Sequence, residues 1–133
     1  MSDDEAIQRF VDGFNSGEVD DLIATATDDL VIRTAQEWPG GGEYLGADAA
    51  RAFLEDFLGD WEEIRYERLA GEVVEGKVVE RARWVGTGRT SGLKSTVDFY
   101  TSWTIRDGLV ARMDIFAKRE QAREFARTDS RPS

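Results

Sequence analysis

The sequence predicts one α+β domain, on three observations. Apolar residues recur at helical spacing through the first half of the chain, outside one short strand-like run. From residue 62 onward they alternate with period two, and Gly-containing turns separate the runs. Segregated helices and strands of this kind pack as layers around one core. A chain of 133 residues with 41% hydrophobic residues is the size of a single domain.

The elements follow in order. Residues 3–16 carry Ile7, Phe10, Val11 and Phe14 on one helical face. Ser2 or Asp3 caps that helix, and Asp4 and Glu5 suit its positive end. Asn15-Ser16-Gly17 stops it. Residues 18–27 read as a second short helix with Val19, Leu22, Ile23 and Ala26 inward. Leu30 to Ala35 is strand-like. Residues 36–46 hold four glycines and a proline and read as a loop. A third helix is expected at about 47–60, with Phe53, Leu54, Phe57 and Trp61 at helical spacing. Strands are expected at 62–75, 78–90, 94–106 and 109–117. They are joined by turns at Gly76-Lys77, Ser91-Gly92 and Asp107-Gly108. Gly86 and Gly88 suggest a bulge or bend. A short charged helix at 118–127 ends the domain, and 128–133 reads as a frayed tail of the single 1–133 domain.

Composition excludes several function classes. The chain has no Cys and no His. Disulfides, thiolate metal sites, imidazole bases and Ser–His triads are therefore ruled out. No motif implies a metal or another cofactor, and Gly40-Gly41-Gly42 lacks the Lys-Ser/Thr of a phosphate loop. A net charge of −10 disfavours nucleic acid. The acidic start, Met1-Ser2-Asp3-Asp4-Glu5, has no apolar run, and no segment has the length of a membrane span. A cytoplasmic protein without membrane partners is the expectation. Acid excess, with lysine only at 77, 94 and 118, points to a high-salt cytosol; an ordinary acidic protein is the alternative.

Several short motifs stand in a telling order. Gly13-Phe14-Asn15-Ser16-Gly17-Glu18-Val19-Asp20-Asp21-Leu22 comes first, followed by Asp28-Asp29-Leu30-Val31. Tyr44-Leu45-Gly46 leads into the third helix. Gly86-Thr87-Gly88-Arg89-Thr90-Ser91-Gly92, Trp103-Thr104-Ile105-Arg106-Asp107-Gly108 and Ile115-Phe116-Ala117-Lys118-Arg119 complete the set. In that order the chain resembles the SnoaL-like branch of the NTF2-like superfamily. The resemblance implies a cone: a curved antiparallel sheet wrapped around three N-terminal helices, with an internal pocket. It also implies a homodimer through the convex sheet face, and a hydrophobic or amphipathic small molecule as ligand.

Ketosteroid isomerases share the fold and use an Asp base with a Tyr and a protonated Asp as donors. The corresponding positions here are Thr34, Phe10 and Thr101, none of which supplies the needed group. That chemistry is rejected. Polyketide cyclases of the branch use a His and Asp constellation, which a chain without His cannot complete. Limonene-epoxide hydrolases use an Asp–Arg–Asp group on their strands, for which Arg83, Asp98, Arg112 and Asp114 are available here.

Asp114 and Arg112 are two apart on the last strand, so their side chains share a face. The resemblance places that face in the cavity, with Phe116. Asp114 is then the candidate acid or base, and Arg112 the group that steadies an anion. The same pair also suits a plain ion pair, since an Arg lowers a neighbouring Asp. Asp98, Tyr100, Ser102 and Thr104 alternate with the apolar set and belong on the outer face. Pocket-lining candidates are Phe10, Phe14, Thr34, Trp38, Tyr44, Phe57, Thr101, Trp103 and Phe116. On the 78–90 strand neither alternation set is cleanly apolar, so the face that meets the cavity stays open. Its arginines are expected to pair with carboxylates across a dimer face. Two functional readings result: a small-molecule site with modest acid/base chemistry, or a non-catalytic module whose cavity is mostly filled.

Overall fold

The computed structural model describes residues 2–38 and 41–128. The expected tail beyond Thr128 lies outside the described residues.

Helix α1 (Asp3–Ser16) opens with a capping box: Ser2 Oγ accepts the Glu5 backbone N–H at 3.2 Å, and the Glu5 carboxylate reaches back to Ser2. Gly17 closes the helix in the left-handed region at φ 76°. Its buried face is Ala6, Ile7, Phe10, Val11, Gly13 and Phe14. At Gly13 a Cβ would stand 2.8 Å from Leu22 Cα, so only glycine admits this approach of the next helix.

That helix, α2 (Val19–Ile23), is shorter than the sequence predicts, and strand β1 (Ala26–Arg33) starts earlier. Thr25 and Thr27 decide the boundary. Both are β-branched, and the Thr25 carbonyl already accepts Val110 N–H at the sheet edge. A short strand β2 (Glu43–Leu45) pairs antiparallel with β1 inside the stretch expected to be loop. Helix α3 (Ala47–Gly59) follows, then β3 (Trp61–Val74), β4 (Lys77–Gly88), β5 (Lys94–Arg106), β6 (Leu109–Phe116) and α4 (Arg119–Thr128).

The six strands form one sheet in the order β2-β1-β6-β5-β4-β3. All neighbours run antiparallel except β1 and β6, which are parallel. The β4–β5 register is continuous through Gly86, while the extra residue lies on the neighbouring strand: Trp61 pairs with Gly88 and Glu63 with Thr87, and further irregularities fall at 68–70, between Ala26 and Val31, and between Thr104 and Ile105. Gly86 serves a close approach instead: a Cβ there would meet the Trp61 ring at 2.8 Å.

Directly opposed residues share a sheet face. The β5–β6 pairs Trp103–Met113 and Thr101–Ile115 therefore mark one face, and Ser102–Asp114, Thr104–Arg112 and Tyr100–Phe116 the other. Across β4, Val78, Glu80, Ala82 and Trp84 join the Trp103 face. This resolves the alternation that the sequence leaves open. Helices α1, α2 and α3 cover this first, concave face over a core that includes Phe10, Phe14, Leu22, Leu54, Phe99 and Trp103. Helix α4 lies on the opposite face, where Ala122 and Ala126 pack with Val79, Tyr100 and Phe116.

Candidate functional site

The concave face carries a buried polar nest around Glu80, whose residue is 3% exposed. Trp103 Nε1 donates to Glu80 Oε1 at 2.9 Å, and Arg68 Nε donates to Oε2 at 3.0 Å. Tyr66 Oη donates to Oε1 at a longer 3.4 Å and lies 3.0 Å from Thr101 Oγ1. Two features of the fold hold this nest. Asn15 clamps the backbone of Tyr66 by accepting its N–H at 2.7 Å and donating to its carbonyl at 3.1 Å. Arg68 is tied to α1 through Asp4 Oδ1 at 2.7 Å and Gln8 Oε1 at 3.1 Å. The helix stop at Asn15 is thus also the support of the site.

Burial raises the Glu80 carboxyl above its ordinary range, against the opposing pull of Arg68 and of the Trp103 and Tyr66 donors. Burial, reinforced by the Glu80 charge, raises Tyr66 well above an ordinary phenol. Glu80 therefore exchanges a proton closer to neutrality than a surface carboxylate does. A cleft of about 490 Å³ between the start of α1 and the β3–β4 hairpin is lined by Asp4, Arg68, Val73, Val78 and Glu80.

Beyond the nest the concave face is aromatic. The Trp84 ring is met by Phe99 at 4.5 Å, Phe57 at 4.8 Å and Trp38 at 5.2 Å between centroids. Trp38 also meets Phe99 edge-on at 5.7 Å. Trp84 Nε1 is buried and has no hydrogen-bond partner among the described residues. A buried donor left unpaired costs about 1–3 kcal/mol.

The opposite face holds the second buried carboxylate. Asp114 is fully buried. Arg112 binds it through Nε at 3.1 Å and Nη2 at 3.0 Å, and Arg33 Nε approaches to 3.2 Å. The α4 ring Phe125 covers both guanidiniums, 4.6 Å from that of Arg33 and 5.4 Å from that of Arg112. Burial raises Asp114, opposed by its hydrogen bond to Arg112.

The expected site residues separate accordingly. Phe10, Phe14, Thr101 and Trp103 lie inside the concave core, and Trp38 and Phe57 pack against it. Arg112, Asp114 and Phe116 do not share the cavity face. The β5–β6 register puts them on the far side of the sheet, because Trp103 opposes Met113 and Ser102 opposes Asp114. Thr34 is buried and spends its hydroxyl on the loop, accepting Gly42 N–H at 2.8 Å. Tyr44 on β2 opposes Ile32, whose partner Met113 is on the concave face; it is half-buried there and stacks on Phe53 of α3 at 4.4 Å. The three arginines expected at a dimer face, two on β4 and Arg89 just after it, have partners within the chain. Arg83 and Arg81 hold Asp98 on the next strand, and Arg89 donates to the Gly59 and Trp61 carbonyls. Among the described residues no three of Asp and Glu are grouped to hold a metal ion. None of the described helices is long and apolar enough to cross a membrane.

The SnoaL-like domain family matches residues 7–113, most of the chain. The chain belongs to the SnoaL-like family. Solved structures agree on the fold. TerC, co-crystallised with polyporic acid, is 23% identical over 92% of this chain and 95% of that one, with a TM-score of 0.73. A putative SnoaL-like polyketide cyclase from Jannaschia sp. CCS1 is 22% identical over 97% of this chain and 92% of that one, with a TM-score of 0.71. A hypothetical protein with a ketosteroid isomerase-like fold from Catenulispora acidiphila DSM 44928, in complex with trimethylamine, is 11% identical over 84% of this chain and 83% of that one, with a TM-score of 0.73. No curated protein matches. At these identities the neighbours establish the SnoaL-like cone and nothing about its ligand.

Glu80, Arg68 and Tyr66 are the residues that sequence reasoning missed as a site. A signal existed: Glu80 alternates with Val78, Ala82 and Trp84, three residues that favour burial. It was masked by the equally mixed set of Arg81, Arg83 and Val85 on the other face.

Proposed function

We propose that this SnoaL-like chain binds a hydrophobic or amphipathic small molecule in its cone and acts on it by proton transfer at Glu80. The observation that carries this reading is the buried Glu80 carboxylate on the concave face. It is held by Trp103, Tyr66 and Arg68, and it lines an open cleft. A carboxyl raised toward neutrality serves as acid or base under ordinary conditions. Tyr66 and Trp103 supply N–H and O–H donors that stabilise the charged form, and Arg68 offsets its charge. Asp114 and Arg112 lie across the sheet from this cleft, which favours an ion-pair role for them.

A second reading has its own support. Trp103 and Phe99 are fully buried and Phe10 is 1% exposed, so rings occupy much of the interior, as a non-catalytic binding module requires. Homodimerisation belongs to either reading. The part of the convex face left open by α4 presents Arg81, Arg83 and Asp98, a mixed-charge surface that suits a second copy.

The test is a thermal-shift screen of small apolar and amphipathic molecules, followed by turnover of the hits. Hits are expected to stabilise wild type and Glu80→Gln alike, with turnover only in wild type. Full turnover by Glu80→Gln sinks the assignment. Binding without turnover in wild type supports the module.

A further inference from the structure

The sheet has two edges, and they differ in protection. Strand β2 is three residues long, and shortness itself blunts an edge. Strand β3, at the other edge, runs for 14 residues. Asn15 covers its middle by bonding the Tyr66 N–H and carbonyl, and the register irregularity at 68–70 follows. Beyond that cover, residues 69–73 are all exposed. They include neither of the residues that commonly guard an edge, lysine and proline. They carry instead two exposed large apolar side chains, Leu69 at 41% and Val73 at 74%. Glu72, the one charge of the stretch, is drawn onto α4 by Arg123, which donates to it at 2.6 and 2.8 Å.

The hairpin fixes which backbone groups point off the sheet. Val74 pairs with Lys77 across a two-residue turn, with Glu75 at φ 50° and Gly76 at φ 80°. In such a hairpin the flanking pair exchanges hydrogen bonds, and bonded and non-bonded pairs then alternate along the ladder. Val73 and Gly71, opposite Val78 and Glu80, are therefore the non-bonded positions, with N–H and C=O directed outward. Tyr66 is the same kind of position before the irregularity, and Asn15 takes its outward groups. Among the described residues nothing takes those of Gly71 and Val73.

We propose that residues 69–73 of β3 pair antiparallel with the same residues of a second copy of this chain, about a two-fold axis at Gly71. The two Gly71 residues then exchange both hydrogen bonds, and Val73 of each copy lies beside the partner's Leu69. The exposed apolar side chains of the stretch thus cover one another. A register centred on Glu72 instead sets it against the partner's Glu72, and like charges directly opposed are unfavourable. Self-complementarity selects a second copy as the occupant: the segment matches its own reverse, apolar to apolar and glycine to glycine, as a two-fold contact demands. Asn15 closes the edge at Tyr66, so the pair is short and the association weak and concentration-dependent. It uses a different surface from the open part of the convex face, and it needs neither Glu80 nor turnover.

The chain has no cysteine, so single cysteines report the register. Gly71→Cys fits, since a Cβ there meets nothing closer than 3.5 Å. In the proposed pair its Cα stands about 5.5 Å from the partner's, within disulfide reach. The Cα atoms of Val73→Cys are offset by four residues of strand, about 14 Å, and lie beyond that reach. Under mild oxidation Gly71→Cys is expected to form disulfide dimers about tenfold faster than Val73→Cys. Sedimentation is run at about 1 M salt, which screens the repulsion between acidic chains, and at up to about 1 mM protein. Wild type is expected to self-associate there, and Val73→Lys to weaken that association about tenfold by removing an apolar contact from each copy. Val73→Lys leaves a convex-face dimer as it is, so the two interfaces are told apart. Equal disulfide rates at 71 and 73, or unchanged association in a folded Val73→Lys, overturn the proposal. So does a peptide of alternating lysine and valine that binds wild type and not Val73→Lys while the chain itself stays unassociated, since the edge then belongs to a foreign strand. Should Gly71→Cys fail to fold, Val73→Lys decides.

Discussion

Glu80 and Asp114 are two buried carboxylates on opposite faces of one sheet. Burial raises both, and arginine holds both. Their surroundings differ in what else reaches them. Asp114 takes two guanidiniums and is sealed by Phe125 of α4, so its bonding is ionic and closed. Glu80 takes one guanidinium, an indole N–H and a phenol, and it lines a cleft. Both have the raised affinity for a proton that a site needs. Glu80 borders a cleft and Asp114 lies under a ring, and that difference in neighbours separates a candidate catalytic carboxylate from a structural one.

The sharpest way to break this contrast is Asp114→Ala. It strands Arg33 and Arg112 under α4 and is expected to cost about 3 kcal/mol in urea unfolding. A loss below about 1 kcal/mol, the range of a surface pair, removes the structural assignment of that triad. Trp103→Phe acts on the other face. It takes a donor from a buried carboxylate and leaves a gap, for an expected loss of about 2 kcal/mol. The same variant should raise the proton affinity of Glu80, read as an upward move of its titration by carboxyl NMR.

Glu80→Gln sharpens the comparison through pH. The folded-state value of Glu80 lies above its ordinary 4.5, so the folded protein binds the proton more tightly than the unfolded chain. Its contribution to stability is full below the ordinary value and is lost as pH rises through the folded one. Relative to Glu80→Gln, wild type should therefore lose stability across that window; an identical slope in both proteins refutes the shift. Asp98 has the opposite sign. Arg83 and Arg81 hold it down to about 2 from 3.8, so its contribution is kept above 3.8 and lost as pH falls through about 2. Because this pair is solvent-exposed, Asp98→Asn is expected to lower the neutral-pH urea midpoint only slightly, and that difference disappears as pH falls through about 2. It is the smallest of these effects.

Much of the fold was legible in the chain. The Ser2 cap, the Asn15-Ser16-Gly17 stop and the Asp107-Gly108 turn are local chemistry, and each element they bound was expected. Strand β2 was not, because Glu43–Leu45 is too short to show periodicity and exists only through pairing with β1. The α2–β1 boundary failed for a related reason: the Thr25 carbonyl is committed to Val110, far along the chain. The site was legible only in part. Alternation correctly grouped Thr101 with Trp103, and Arg112 with Asp114. It did not say which group faces inward.

The sequence by itself determined the α+β class, the SnoaL-like family and the side chains that travel together on each strand, because these depend on spacing within a segment. Tertiary structure alone decided which face meets the helices. That depends on strand register and on where α4 docks, and a shift of one residue inverts every side chain of a strand. Register turned Asp114 outward beneath Phe125 and Glu80 inward to Trp103 and Tyr66. The candidate acid or base changed with it.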